Sequence, residues 1–202
     1  MPRTAPRGGP RTRAKIARVA KRLFFERGFD AVTVAEIARQ AGVSPVTVFN
    51  HFPRKEDLIL DRADDAVELL RAAVRDRTPG VDLLDSLRTL VSPHLDEDRP
   101  LAGASPSSLL FLRTVADSPT LISRAREIAA TLQSALEEEL NADPAFVRDA
   151  RFFAAFFVAG YSTVVVESAS LLLGGAPPYD VAEFQRGRID RLVGALRNGV
   201  TD

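Results

Sequence analysis

The eleven residues Gly42-Val43-Ser44-Pro45-Val46-Thr47-Val48-Phe49-Asn50-His51-Phe52 decide the fold, because they support two opposite readings. Their second half, VTVFNHF, holds the β-branched and aromatic residues that favour strands. The flanking signals point the other way. Thr33-Val34-Ala35-Glu36 is a capping box: the Thr33 hydroxyl can accept the Glu36 backbone N–H, and the Glu36 carboxylate can reach back to the Thr33 N–H. Ile37, Ala38 and Ala41 then give a short helix an apolar face, and Gly42 suits the left-handed residue that ends it. Ser44-Pro45 supplies an N-cap followed by proline at the first helical position. Several β-branched residues in a helix cost about a few tenths of a kcal/mol each, whereas one N-cap contributes about 1 kcal/mol. The caps therefore predict a helix from about Pro45 to Phe52, stopped by Pro53.

Upstream, Ile16, Ala17, Ala20, Leu23 and Phe24 follow the spacing of an amphipathic helix that ends at Gly28. Two short helices joined by a tight glycine turn, inside a three-helix unit, are the helix-turn-helix arrangement. In it Val43, Val48 and Phe52 pack inward with Ile37 and Phe24, and Val46, Thr47, Asn50 and His51 face outward.

Charge marks the same region. The formal net charge of the 202 residues is zero, yet residues 1–57 carry 12 Lys/Arg against 5 Asp/Glu, and residues 58–202 carry 15 against 22. A basic N-terminal part joined to an acidic remainder suggests that one end meets a polyanion. The absence of Cys excludes disulfides and thiolate sites, and with only His51 and His94 a histidine-rich metal site is not expected. The N-terminal segment lacks the apolar core of a secretory signal. The longest charge-free run, Phe152 to Val166, is 15 residues, short of the roughly 20 needed to span a bilayer. A cytoplasmic, nucleoid-associated protein without membrane partners is expected.

The rest of the chain reads as helix: about Arg54 to Arg77, Asp82 to Leu95, Ser105 to Val115, Ser118 to Leu140, Pro144 to Leu173 and Tyr179 to Leu196, with Pro/Gly/Asn/Asp breaks between. The fold class is all-α. The expected organisation is a disordered basic arm over 1–10, a helix-turn-helix domain over 11–57 and a helical domain over 58–202.

The block from Ala17 to Leu60, ARVAKRLFFERGFDAVTVAEIARQAGVSPVTVFNHFPRKEDLIL, resembles the DNA-binding domain of TetR-type transcriptional regulators along its whole length. The resemblance implies about nine helices: an N-terminal three-helix DNA-binding domain followed by an effector-binding and dimerisation domain. It implies a homodimer on a palindromic double-stranded operator, usually repressing, with a small-molecule effector that shifts the spacing of the two heads. Transcriptional activation or effector-independent binding fits the same head. By position, Ser44, Val46, Thr47 and Asn50 approach base edges or nearby phosphates; the Val46 and Thr47 methyls can meet thymine methyls, and Asn50 can pair with adenine. Thr33, Phe49, His51 and Lys55 match positions that hold the DNA backbone, and Arg3, Arg7, Arg11 and Arg13 can follow phosphates or the minor groove. Phe49 stands where the family most often has Tyr, so the hydroxyl that would bond a phosphate is absent.

The segment from Pro144 to Leu173 is apolar nearly all round, so it must be covered on several sides. In the family the last two helices form a four-helix dimer bundle, which assigns Val165, Leu172, Phe184, Ile189 and Leu192 to the dimer interface. Phe111, Arg113, Asp117, Gln133, Phe153, Phe156, Phe157 and Tyr161 are the candidates for an effector pocket, apolar walls with a few hydrogen bonders. FLRTVADSPTLISRAREIAATLQSALEEEL resembles the C-terminal domain of a subgroup that includes fatty-acyl-CoA-responsive regulators, so a largely apolar, acyl-type effector is expected and no cofactor. A small helical enzyme is the distant alternative: Gly103-Ala104-Ser105-Pro106-Ser107 lacks the second glycine of a nucleophile elbow, and no phosphate-binding glycine motif is present.

Overall fold

The computed structural model describes residues 9–91 and 106–198, and every regular element among them is helical. The order is α1 (Pro10–Arg27), α2 (Val34–Ala41), α3 (Pro45–His51), a 3-10 turn (Glu56–Leu58), α4 (Ala63–Arg75), α5 (Leu83–Val91), α6 (Pro106–Ala116), α7 (Pro119–Ala142), α8 (Ala150–Leu173) and α9 (Pro178–Asn198). Most of the expected arm, with Arg3 and Arg7, lies outside the described residues, as does His94; Pro10 already opens α1.

Two helices differ from expectation. The helix read from Arg54 starts only at Ala63, because Leu58 and Ile59 turn inward to be fully buried and the chain bends around them. The helix read from Pro144 starts at Ala150, where the Asp149 carboxylate caps it by accepting the Phe152 N–H at 2.9 Å. Asp143 holds the intervening turn, accepting the Ala145 N–H at 3.0 Å and pairing with Arg77 at 2.8 Å. Those two contacts, the backbone N–H foremost, hold its carboxyl below the usual carboxylate range. The displaced Phe146 meets Phe153 edge-on at 5.2 Å.

The chain divides into two compact units, and the division differs from a cut near residue 57: one unit runs to Ala63 and also takes in Thr114–Arg124, the end of α6, the turn after it and the start of α7. Its core gathers Ile16, Leu23 and Phe24 of α1, Ile37 and Ala41 of α2, Val48 and Phe52 around α3, and the wholly buried Leu121 of α7. Arg124 grips Asp57 at 2.9–3.0 Å, and the Ser118 hydroxyl donates to Asp30 at 3.4 Å.

The second unit has a large apolar cluster built from α4, α5, α7, α8 and α9, including Leu70, Leu87, Leu136, Phe153, Phe157 and Val193, and a smaller one around Leu112, Leu172 and Val181. Within it α8 and α9 run antiparallel in close contact: a Cβ added at Gly160 would lie 2.4 Å from Leu192 Cδ1, and Arg188 holds Glu167 with two nitrogens at 2.9 and 3.0 Å. By length and composition α8 is apolar enough to cross a bilayer, although its charge-free run is short. The alternative cover is visible in the molecule, since eight of its residues are buried and α9 lies along it.

Candidate functional site

The turn between α2 and α3 forms by the local chemistry its sequence encodes. The Thr33 hydroxyl caps α2 by accepting the Glu36 N–H at 3.2 Å. The reciprocal half of the capping box differs, because the Glu36 carboxylate instead takes Arg27 of α1 and ties the two helices together. Gly42 adopts φ 65°, ψ 38°, a left-handed geometry that a Cβ would strain, and the Val43 N–H returns to the Ala38 carbonyl at 3.0 Å. Ser44 then caps α3 by accepting the Thr47 N–H at 3.1 Å.

That geometry orients α3. Val48 is 1% exposed and Phe52 is buried beyond the helix end, whereas Val46 is 67% exposed and Phe49 49%. Asn50 is exposed, and Thr47 and His51 are half-buried. The Ser44 and Thr47 hydroxyls lie 2.9 Å apart in a mutual hydrogen bond, so both are engaged in the cap. The outward face therefore presents two apolar side chains and one amide able to accept and donate at once.

Two basic residues expected on phosphates also have partners within their own unit. Lys55 donates to the Phe29 carbonyl at 2.6 Å and lies 4.2 Å from the Phe29 ring centroid, and burial pulls its pKa down against the opposing pull of Asp30 and Glu56. Arg13 lies 4.6 Å from the Phe52 ring centroid and donates to the Asp61 carbonyl at 3.1 Å. Both cations find an aromatic face and a carbonyl within their own unit, which a periodicity argument cannot foresee. Arg11 remains exposed on the first turn of α1.

In the helical domain Phe153 and Phe157 are buried in the large cluster, and Phe111, Gln133 and Tyr161 are half-buried. Arg113, Asp117 and Phe156 are exposed, so the structure does not enclose them with the others. Phe156 precedes Phe157 by about 100° around the helix and cannot share its inward direction. Of the five residues expected at a dimer interface, Val165, Phe184 and Leu192 are half-buried, but Leu172 and Ile189 are spent in their own chain's clusters. The outward apolar residues of α8 are instead Phe152 at 66%, Phe156 at 60% and Val166 at 64% exposed. Sequence reasoning also missed Ser168 and Gln185, buried polar residues whose only sequence signal is their apolar surroundings.

A capped helix-turn-helix on a basic unit, followed by a helical domain, defines a DNA-binding transcription regulator. Residues 16–61 match the family model described as bacterial regulatory proteins, tetR family. The regulator TcmR of Streptomyces glaucescens is 27% identical over 157 residues, covering 76% of this chain and 70% of TcmR. BetI of Rhizobium meliloti is 37% identical over 76 residues, covering 34% of this chain and 37% of BetI. Among solved structures, Thermus thermophilus FadR, a TetR-family repressor in complex with lauroyl-CoA, aligns over 94% of this chain and 95% of its own, with a TM-score of 0.59 and 24% identity. NalD of Pseudomonas aeruginosa, the secondary repressor of the MexAB-OprM efflux pump, aligns over 89% and 96%, with a TM-score of 0.59 and 20% identity; both are likenesses of fold. The N-terminal domain, over residues 16–61, belongs to the tetR family of bacterial regulatory proteins, and the relatives that the chain matches are transcriptional regulators rather than enzymes.

Proposed function

We propose that this regulator binds a palindromic operator as a homodimer, represses transcription by occupying it, and is released by a small, largely apolar effector held in the helical domain. The observation that carries the reading is the division of α3 into a buried Val48 and an exposed face of Val46, Phe49 and Asn50. On this reading Val46 and Asn50 meet base edges, Phe49 lies against sugar carbons or bases, and Thr33, Ser44, Thr47, His51 and Arg11 line the phosphate path. Two such helices must stand about 34–36 Å apart to enter successive major grooves, so a shift of a few ångströms between the heads releases the DNA. The exposed Phe152, Phe156 and Val166 of α8 support a second copy as its cover. The lauroyl-CoA held by the Thermus neighbour illustrates an acyl effector of the expected apolar character. The regulator acts in the cytoplasm, on the nucleoid.

The test is a mobility-shift titration of the full chain across the intergenic DNA beside its gene. A palindromic fragment is expected to bind at sub-micromolar concentration and to lose affinity steeply as salt rises. Binding that is absent, or indifferent to salt, overturns the reading.

A further inference from the structure

Ser168 of α8 and Gln185 of α9 are each 1% exposed, and neither the Ser168 hydroxyl nor either end of the Gln185 amide has a hydrogen-bond partner among the described residues. Buried amides and hydroxyls without partners are uncommon and destabilising, so a pair of them calls for a reason. Their placement supplies one. The antiparallel register that puts Gly160 against Leu192 and pairs Glu167 with Arg188 brings Ser168 and Gln185 to the same level. One turn away in one direction lie Val164 and Ile189 of the large apolar cluster; one turn away in the other lie Leu172 and Val181 of the small one. The two residues form a polar layer between two apolar cores.

From this layer we infer that Ser168 and Gln185 are the polar seat of the effector site and take a neutral hydrogen-bonding group, an amide, ester or thioester carbonyl, carried on an apolar chain. The inference rests on the effector reading above. An amide and a hydroxyl together donate and accept, which matches a carbonyl with or without an adjacent N–H. A charged group fits poorly: among the described residues no buried side chain is ionic, and the nearby Glu167 and Arg188 already neutralise each other. The unmet hydrogen bonds are a stability cost that such a ligand removes, a pattern typical of binding sites.

The experiment uses the whole 202-residue chain and three probes with the same ten-carbon chain: decanamide, decanoate and decyltrimethylammonium. Binding is followed by calorimetry and by release of bound operator DNA. Decanamide is expected to bind at least about tenfold more tightly than the cation. Gln185→Leu should weaken decanamide about tenfold or more, the cost of one lost buried hydrogen bond, while raising the melting temperature of the ligand-free protein by about 2–4 °C because an orphaned amide is gone. Ser168→Ala, a smaller change that keeps the packing, should weaken decanamide in the same direction. A lowered melting temperature in Gln185→Leu with decanamide binding intact overturns the inference, since the amide is then satisfied by the protein or by a buried water. Decanoate or decyltrimethylammonium binding and releasing DNA where decanamide does not also overturns it, and leaves the effector reading standing. Failure of all three probes to bind or to release DNA counts against both.

Discussion

The apolar face of α3 makes a prediction that can be followed from one side chain to one methyl group of DNA. Val46 is 67% exposed in the free head. Full burial of a valine is worth about 1.5–3 kcal/mol, so covering its exposed two-thirds offers at most about 1–2 kcal/mol per half-site. A thymine C5-methyl is one methyl of that contact, about 0.5–0.8 kcal/mol. With two half-sites, replacing the contacted thymine by deoxyuridine should cost about 1–1.6 kcal/mol, roughly 5- to 15-fold in affinity. Val46→Ala should lose a similar or larger amount without harming the fold, because the residue is exposed and alanine is the better helix former. The decisive quantity is the coupling. Val46→Ala should therefore lose much less affinity on the deoxyuridine operator than on the thymine operator, measured by fluorescence anisotropy at one fixed salt concentration. Additive losses, or an operator in which no thymine is sensitive to removal of its methyl, would refute the assignment of Val46 to base reading.

Three further expectations follow from the geometry. Arg11→Ala should weaken binding to all sequences and reduce the slope of affinity against salt by about 2, one phosphate contact in each protomer, whereas Arg13→Ala should lower the melting temperature through loss of its stacking on Phe52 and its bond to Asp61, about 1 kcal/mol in all. Equal effects of the two on the salt slope would contradict the placement of Arg13. Phe156→Glu puts a charge in the exposed stripe of α8 and should convert the proposed dimer to monomer by light scattering after size exclusion, with operator affinity falling at least about tenfold; a dimer that persists in the variant would move the interface elsewhere. Asp143, whose carboxyl is held below its ordinary value, stabilises the fold above the unfolded-state pKa near 3.9, and that contribution disappears as pH falls through the lower folded value. Asp143→Asn should therefore flatten the loss of melting temperature with pH below about 4; an acid limb identical to wild type would show that the carboxylate carries none of it.

The head was legible because its decisive signals are local. A serine before a proline, a threonine three residues before a glutamate and a glycine at a helix end act within one turn, and the structure realises them as caps at Ser44 and Thr33 and as the left-handed Gly42. Less legible was where long side chains rest within the chain itself. Lys55 and Arg13 look like phosphate ligands because they are basic and near the reading helix, but their destinations are set by rings and carbonyls that tertiary packing brings to them. The helical domain was less legible for a related reason. A helix apolar all round, as α8 is, has no pattern to say which residues face the core, so the burial of Leu172 in its own chain's small cluster could not be read from the sequence. Buried polar residues such as Gln185 read in sequence like any surface residue of an amphipathic helix.

The inclusion of the α6–α7 turn in the DNA-binding unit has a consequence for how that unit is made and moved. The head is discontinuous in sequence: the fifty residues 64–113 separate its first segment from Thr114–Arg124. During synthesis the segment ending at Ala63 emerges first and lacks Leu121 and the Arg124 grip on Asp57, so its packing is completed only after α6 and the start of α7 have been made. The same holds for domain grafting. A chimera that joins this head to a foreign effector domain at residue 63 leaves it without its last structural piece, and one that also transplants 114–124 keeps the head whole.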